Sequence, residues 1–150
     1  MKEKGYEFIA SDNYLNYEFY SEGPKGRIRK KVSFQIFFQH GMPFFNLTFG
    51  NYDENKKQID DQAVSDNRDT NKIFLTLILI VLEFTEHFPQ FPVYAEGNSK
   101  ARNRLFQMCI NSHWIRLKKH LNIYGCDGKT WKTFNNSENF EAFSAKRKNK

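Results

Sequence analysis

The sequence predicts an α+β fold: two layers, a mostly antiparallel sheet with two helices packed on one face. Three observations predict it. Apolar residues alternate from Ile28 to Phe38, the period of a half-buried strand. The apolar run Ile73–Phe84 stands between Asp69-Thr70 and His87-Phe88-Pro89. Periodicity cannot separate a buried helix from a strand there, but length and flanking residues favour a helix. Last, Phe91–Leu121 has the form of a strand, a tight glycine turn and a long helix.

In order along the chain, Tyr6–Ala10 is a short strand candidate and Tyr17–Tyr20 a second. Gly23-Pro24-Lys25-Gly26 is a turn, since Pro presets one dihedral and Gly supplies the others. Ile28–Phe38 follows, with Ile28, Lys30, Val32, Phe34, Ile36 and Phe38 in one phase. Its basic start, RIRKK, is expected to be a solvated strand edge. After a turn at His40-Gly41-Met42-Pro43, Phe44–Phe49 completes an antiparallel meander. Asn51–Asp69 is polar and acidic and reads as a loop with a short strand at Gln62–Val64. Asp69 or Thr70 is expected to cap a buried helix over Lys72–His87. Phe91–Glu96 is a strand, Ser99–Leu121 the second helix, Asn122–Gly125 and Phe140–Ala145 the last strands. Lys146–Lys150 is expected to fray.

At 150 residues, with 16 Phe, the chain is long enough for a substantial core and is expected to form one domain over residues 1–150. The net charge of +6 favours an acidic partner: an anionic small molecule or an acidic protein, with nucleic acid ranked below a merely solvated basic surface. Cys109 and Cys126 are too few for a disulfide framework and lack metal-ligand spacing. MKEKGYEF has no apolar signal core, and the longest apolar run is too short for the ~20 residues that span a bilayer. The expectation is a cytoplasmic protein with no membrane segment, cofactor or metal.

The chemistry concentrates at the start of the second helix. Lys100, Arg102 and Arg104 occupy its first turns, and no acid occurs between Glu96 and Asp127. A helix N-terminus carries a partial positive charge, so each cation there costs about 0.3–1 kcal/mol. At ~100° per residue, Arg102 shares a face with Leu105, Phe106, Cys109, Ser112 and His113. Lys100, Arg104, Gln107 and Asn111 fall on the opposite, solvent face. An inward Arg102 needs an anion. An internal carboxylate (Glu83, Glu86 or Glu96) is the first expectation and a ligand anion the second. The ligand would sit among the amides after Gly97, the Ser99 hydroxyl and the guanidinium of Arg102. Ser99 is also the expected N-cap. Elsewhere, Glu83 and His87 stand one turn apart and are expected to be a surface pair rather than an acid–base pair.

GNSKARNRLF looks loosely like the segment by which certain acetyltransferases bind coenzyme A, through Asn98, Ala101 and Leu105-Phe106. The spacing differs by one, and the Gly-rich pyrophosphate loop of those enzymes is absent. The stretches SEGPKGRIRKKVSF, FNLTFGNYDE, SDNRDT, YAEGNSKARNRLFQM and FEAFSAKRK together resemble a family of small uncharacterised bacterial proteins, known only as a domain of unknown function. That family tends to carry a glycine in the Asn-x-Gly-Asp segment where this chain has Asn67-Arg68-Asp69. The resemblance implies a compact α+β domain and no known activity.

The expected function is therefore a binding module for an anionic partner, with Gly97, Ser99, Lys100, Arg102 and Arg104 as ligand-binding residues. Two alternatives stand beside it. One is an enzyme acting on a phosphorylated or acyl-coenzyme A substrate. The other is a protein-interaction module using exposed aromatics such as Trp114 and Trp131.

Overall fold

The computed structural model describes residues 4–61 and 66–149. Its elements are β1 (Ile9–Ala10), β2 (Asn16–Gly23), β3 (Gly26–Gln39), β4 (Met42–Asp53), β5 (Gln58–Asp60), α1 (Thr70–His87), β6 (Val93–Ala95), α2 (Lys100–Ser112), α3 (Trp114–Leu117), β7 (Leu121–Cys126), β8 (Trp131–Thr133) and β9 (Ala142–Arg147). One sheet runs in the order β1-β2-β3-β4-β6-β9-β7-β8, and β5 also pairs with β4. The β4–β6 pair is parallel, and every other described pair is antiparallel. The α+β reading holds, with a short third helix added.

The β2–β3 hairpin turns through Pro24-Lys25, with Gly23 opposite Gly26. β3 and β4 pair out to Gln39 and Met42. The β3–β4 turn is therefore His40-Gly41 alone, both at positive φ (51° and 78°), the twist that suits a two-residue hairpin. Met42 and Pro43, expected in that turn, belong to β4.

α1 lays Ile73, Phe74, Leu77, Ile80 and Phe84 on the sheet, the helical spacing that puts apolar groups on one face. Phe84 stacks on Phe34 with ring centroids 3.8 Å apart. Tyr17, Phe19, Val32, Phe45 and Phe49 supply the sheet side of this core. A second cluster lies beside it, built from Ile110, Leu117, Leu121, Ile123, Phe134, Phe140 and Phe143. The face turned away from the helices carries the row Asn46–Tyr94–Ser144–Tyr124–Thr133, one residue from each adjoining strand. Among the described residues, no helix is long and apolar enough to cross a membrane.

Several expectations change. The second helix does not run to Leu121: it ends at Ser112, and the chain turns at His113 into α3. The turn carries Leu117 and Leu121 into the second cluster, which one straight helix could not reach. Gln107, expected on the solvent face, is buried, as is Asn103. Helical geometry puts these two on one stripe with Phe106 and Ile110, so the inward face is rotated from the one inferred. The carboxyl-terminal segment does not fray at Lys146 or Arg147, which are paired with β7. Arg147 donates to the Leu82 carbonyl (2.7 Å) and pairs with Glu86 (3.3 Å). The strand expected at Gln62–Val64 lies outside the described residues; β5 precedes it.

Candidate functional site

β4 and β6 are paired only through Phe45–Val93 and Asn46–Tyr94. Beyond that they diverge, β4 towards β5 and β6 through Glu96–Ser99 into α2. A cleft of about 260 Å³ opens between them, lined by Thr48, Phe49, Asp61, Glu96, Asn98 and Arg102 among others. It lies at the carboxyl ends of a parallel pair, where open α/β sheets place their ligands.

The turn into α2 is fastened from within. Gly97 is buried, and its N–H donates to Asn103 Oδ1 at 2.7 Å. A Cβ at Gly97 would lie 2.9 Å from the Asn103 nitrogen, so only glycine fits there. Ser99 is extended and caps the helix: its Oγ accepts the Arg102 N–H at 3.1 Å. Of the groups expected to cradle a ligand, the Ser99 hydroxyl is thus already engaged, and so is the amide of Gly97 itself. The first-turn amides of Lys100 and Ala101 have no partner within their own helix, as at any helix start.

Arg102 is half-buried, and its Nη1 donates to the Asp61 carbonyl at 2.9 Å. The Asn98 side-chain amide donates to the same oxygen. Among the described residues Arg102 has no carboxylate partner, which corrects the expectation of an internal salt bridge. Glu96 instead accepts the Tyr94 hydroxyl at 2.7 Å, and Glu86 pairs with Arg147. Lys100 and Arg104 are exposed on the solvent face of α2, as expected. The structure therefore brings Gly97, Ser99 and Arg102 together at the turn and sets the other two apart.

A residue read as solvated joins them. Lys30 is 4% exposed, and its ammonium donates to Asn51 Oδ1 at 2.5 Å. Burial lowers its pKa; Asp69 raises it, and Arg102 adds a further lowering. Lys30 Nζ and the Arg102 guanidinium carbon lie 5.9 and 6.0 Å from the Phe49 ring centroid, within the range of cation–π attraction. The signal was in the alternation of β3, where Lys30 falls in phase with Val32 and Phe34. Its place in the run RIRKK masked that phase.

Asp69 stands at the start of α1 but makes no side-chain cap bond. Its Oδ2 instead accepts the Tyr6 hydroxyl (2.6 Å) and the Ser21 hydroxyl (2.5 Å). Burial and the neighbouring Asp69 both push the Tyr6 pKa up. Asn67, also buried, accepts the Lys25 N–H and donates to Ser21 Oγ and the Gly26 carbonyl. These bonds tie the segment before α1 to the β2–β3 hairpin. His87 does not act with Glu83; its ring stacks on Tyr14 at 3.6 Å. Among the described residues no cluster of His, Cys, Asp or Glu is placed to hold a metal ion.

The fold and cleft define a class: an α+β protein whose parallel strand pair feeds the N-terminus of a helix. The chain belongs to DUF6934, a family of unknown function, which it matches over residues 2–148. No curated protein and no solved structure matches it.

Proposed function

We propose that this protein is a binding module for an anionic small molecule or an acidic protein segment, held where β6 turns into α2. The observation that carries this reading is Arg102: a half-buried guanidinium at the positive end of a helix, whose polar partner among the described residues is a backbone carbonyl rather than a carboxylate. Lys30 across Phe49 adds positive charge behind it. Asp61 and Glu96 line the same cleft, so the anion sits on the helix side, against the Lys100 and Ala101 amides. A count of two cysteines in the whole chain, too few for a disulfide framework, supports a cytoplasmic setting.

The test is a thermal-shift series with inorganic phosphate. Ligand that binds only the native state raises the melting temperature by mass action. The wild type is expected to respond more than Arg102→Ala, with Lys100→Ala and Arg104→Ala close to wild type. Equal responses of wild type and Arg102→Ala would reject the reading.

A second reading, an enzyme acting on a phosphorylated or acyl-coenzyme A substrate, is supported by the carboxylates of Asp61 and Glu96 beside the same cleft. Turnover of a substrate identified by retained-ligand mass spectrometry, lost in Glu96→Gln with binding kept, would favour it over binding alone.

A further inference from the structure

Two recesses meet at one cross-strand pair. Asn46 and Tyr94, partners in the β4–β6 ladder, line both the cleft beside α2 and a wider groove of about 860 Å³ on the helix-free face of the sheet. The two linings differ in kind. No residue lining the groove is a Lys, Arg, Asp or Glu, and Phe37, Phe44, Tyr94, Tyr124 and Trp131 supply aromatic rings. The Tyr94 ring meets Phe44 and Trp131 edge to face, with centroids 6.1 and 5.9 Å away. Such a lining suits a flat apolar group.

The cleft, by contrast, is lined by both signs of charge. Arg102 comes from α2, and Glu96 follows β6. The Glu96 carboxylate is fixed at the junction itself, where it accepts the Tyr94 hydroxyl at 2.7 Å. Arg102 and Glu96 line one cleft yet form no ion pair with each other. Both keep capacity for a ligand. The bond to the Asp61 carbonyl uses one of about five guanidinium donors, and the Tyr94 hydroxyl uses one of about four carboxylate acceptor sites. A simple anion would meet a like charge at Glu96. A ligand carrying both signs complements the pair.

Taking Arg102 as the anion site, a premise shared with the binding function proposed for this turn, we infer that the ligand is a free aromatic α-amino acid. Its carboxylate meets Arg102, its ammonium meets Glu96, and its side chain passes Tyr94 into the groove towards Phe44 and Trp131. These three groups leave a single carbon, as the three receiving surfaces meet at a single junction.

Isothermal titration calorimetry on the full chain tests this with L-phenylalanine, L-tryptophan and three matched probes. N-acetyl-L-phenylalanine lacks the ammonium, L-phenylalaninamide lacks the carboxylate, and glycine lacks the side chain. The wild type is expected to bind an aromatic amino acid more tightly than each probe by roughly tenfold or more. Glu96→Gln, an isosteric change at an exposed position, is expected to abolish the margin over N-acetyl-L-phenylalanine alone. Arg102→Ala is expected to abolish the margin over L-phenylalaninamide alone. Trp131→Ala, at a site 47% exposed, is expected to reduce the margin over glycine with an unchanged circular-dichroism spectrum. A margin over N-acetyl-L-phenylalanine that survives Glu96→Gln would overturn the inference. So would tighter binding of N-acetyl-L-phenylalanine than of the free amino acid, which would mark a peptide carboxyl terminus instead. A phosphate response that depends on Arg102, with no heat from either aromatic amino acid, would overturn this inference alone. Loss of that phosphate response as well would remove the anion site itself.

Discussion

At the scale of single residues, several positions are held against their own preferences. Arg68 stands in the left-handed region at φ 59°, where an L side chain crowds the following carbonyl. Arg68→Gly should therefore stabilise the fold by about 1 kcal/mol, read as a higher urea midpoint with unchanged slope. The Tyr17 hydroxyl is buried and has no hydrogen-bond partner among the described residues. Burial pushes its pKa well above the ordinary 10.0. The unfolded chain then releases this proton as pH passes about 10, while the folded chain keeps it. The folded state binds more protons there, so stability falls with rising pH. Tyr17→Phe should be neutral or stabilising by up to ~1 kcal/mol near neutrality and should flatten that alkaline loss. Melting temperatures of the two proteins across the alkaline range decide it; parallel curves would refute the assignment.

At the scale of elements, α1 and α2 are anchored by different chemistry. α1 is held by apolar burial. Ile80 is fully buried, so Ile80→Ala should cost roughly 2–5 kcal/mol. Leu79, one position earlier, is only half-buried and should cost less. A common loss at both sites in urea melts would contradict the helix face. α2 is held partly by amides. Gln107 Oε1 accepts the buried Phe140 N–H at 3.1 Å, and its Nε2 donates to the Glu138 carbonyl. Gln107→Ala leaves that N–H without a partner and should cost about 1–3 kcal/mol. Faster amide hydrogen exchange at Phe140 in the variant is the expected signature.

At the scale of the whole molecule, two cores meet under α2 with a small gap. An apolar cavity of about 70 Å³ lies between α1, α2 and the sheet, bordered by Phe74, Phe106, Cys109 and Ala145. Voids of this kind cost about 24 cal/mol per Å³. Ala145→Val, on a strand where a branched side chain is well accommodated, should recover about 1 kcal/mol and raise the melting temperature. A lower melting temperature would mean the strand cannot take the extra volume.

The sequence by itself determined the elements whose signal is local. The β3 alternation, the Ile73–Phe84 helix, the Ser99 cap and the glycine turn before the second helix each depend on neighbours within a few residues. Only the tertiary structure decided the rest. Lys30 and Gln107 carry polar labels in the sequence, and their burial follows from Asn51 and the Phe140 amide, 21 and 33 positions away. Glu86 was taken by Arg147, 61 positions on, which left Arg102 with the Asp61 carbonyl. The break at His113 and the ordering of Lys146 and Arg147 answer to a second core assembled from distant segments. A charge's partner and a helix's end depend on which surfaces meet, and local pattern does not contain that information.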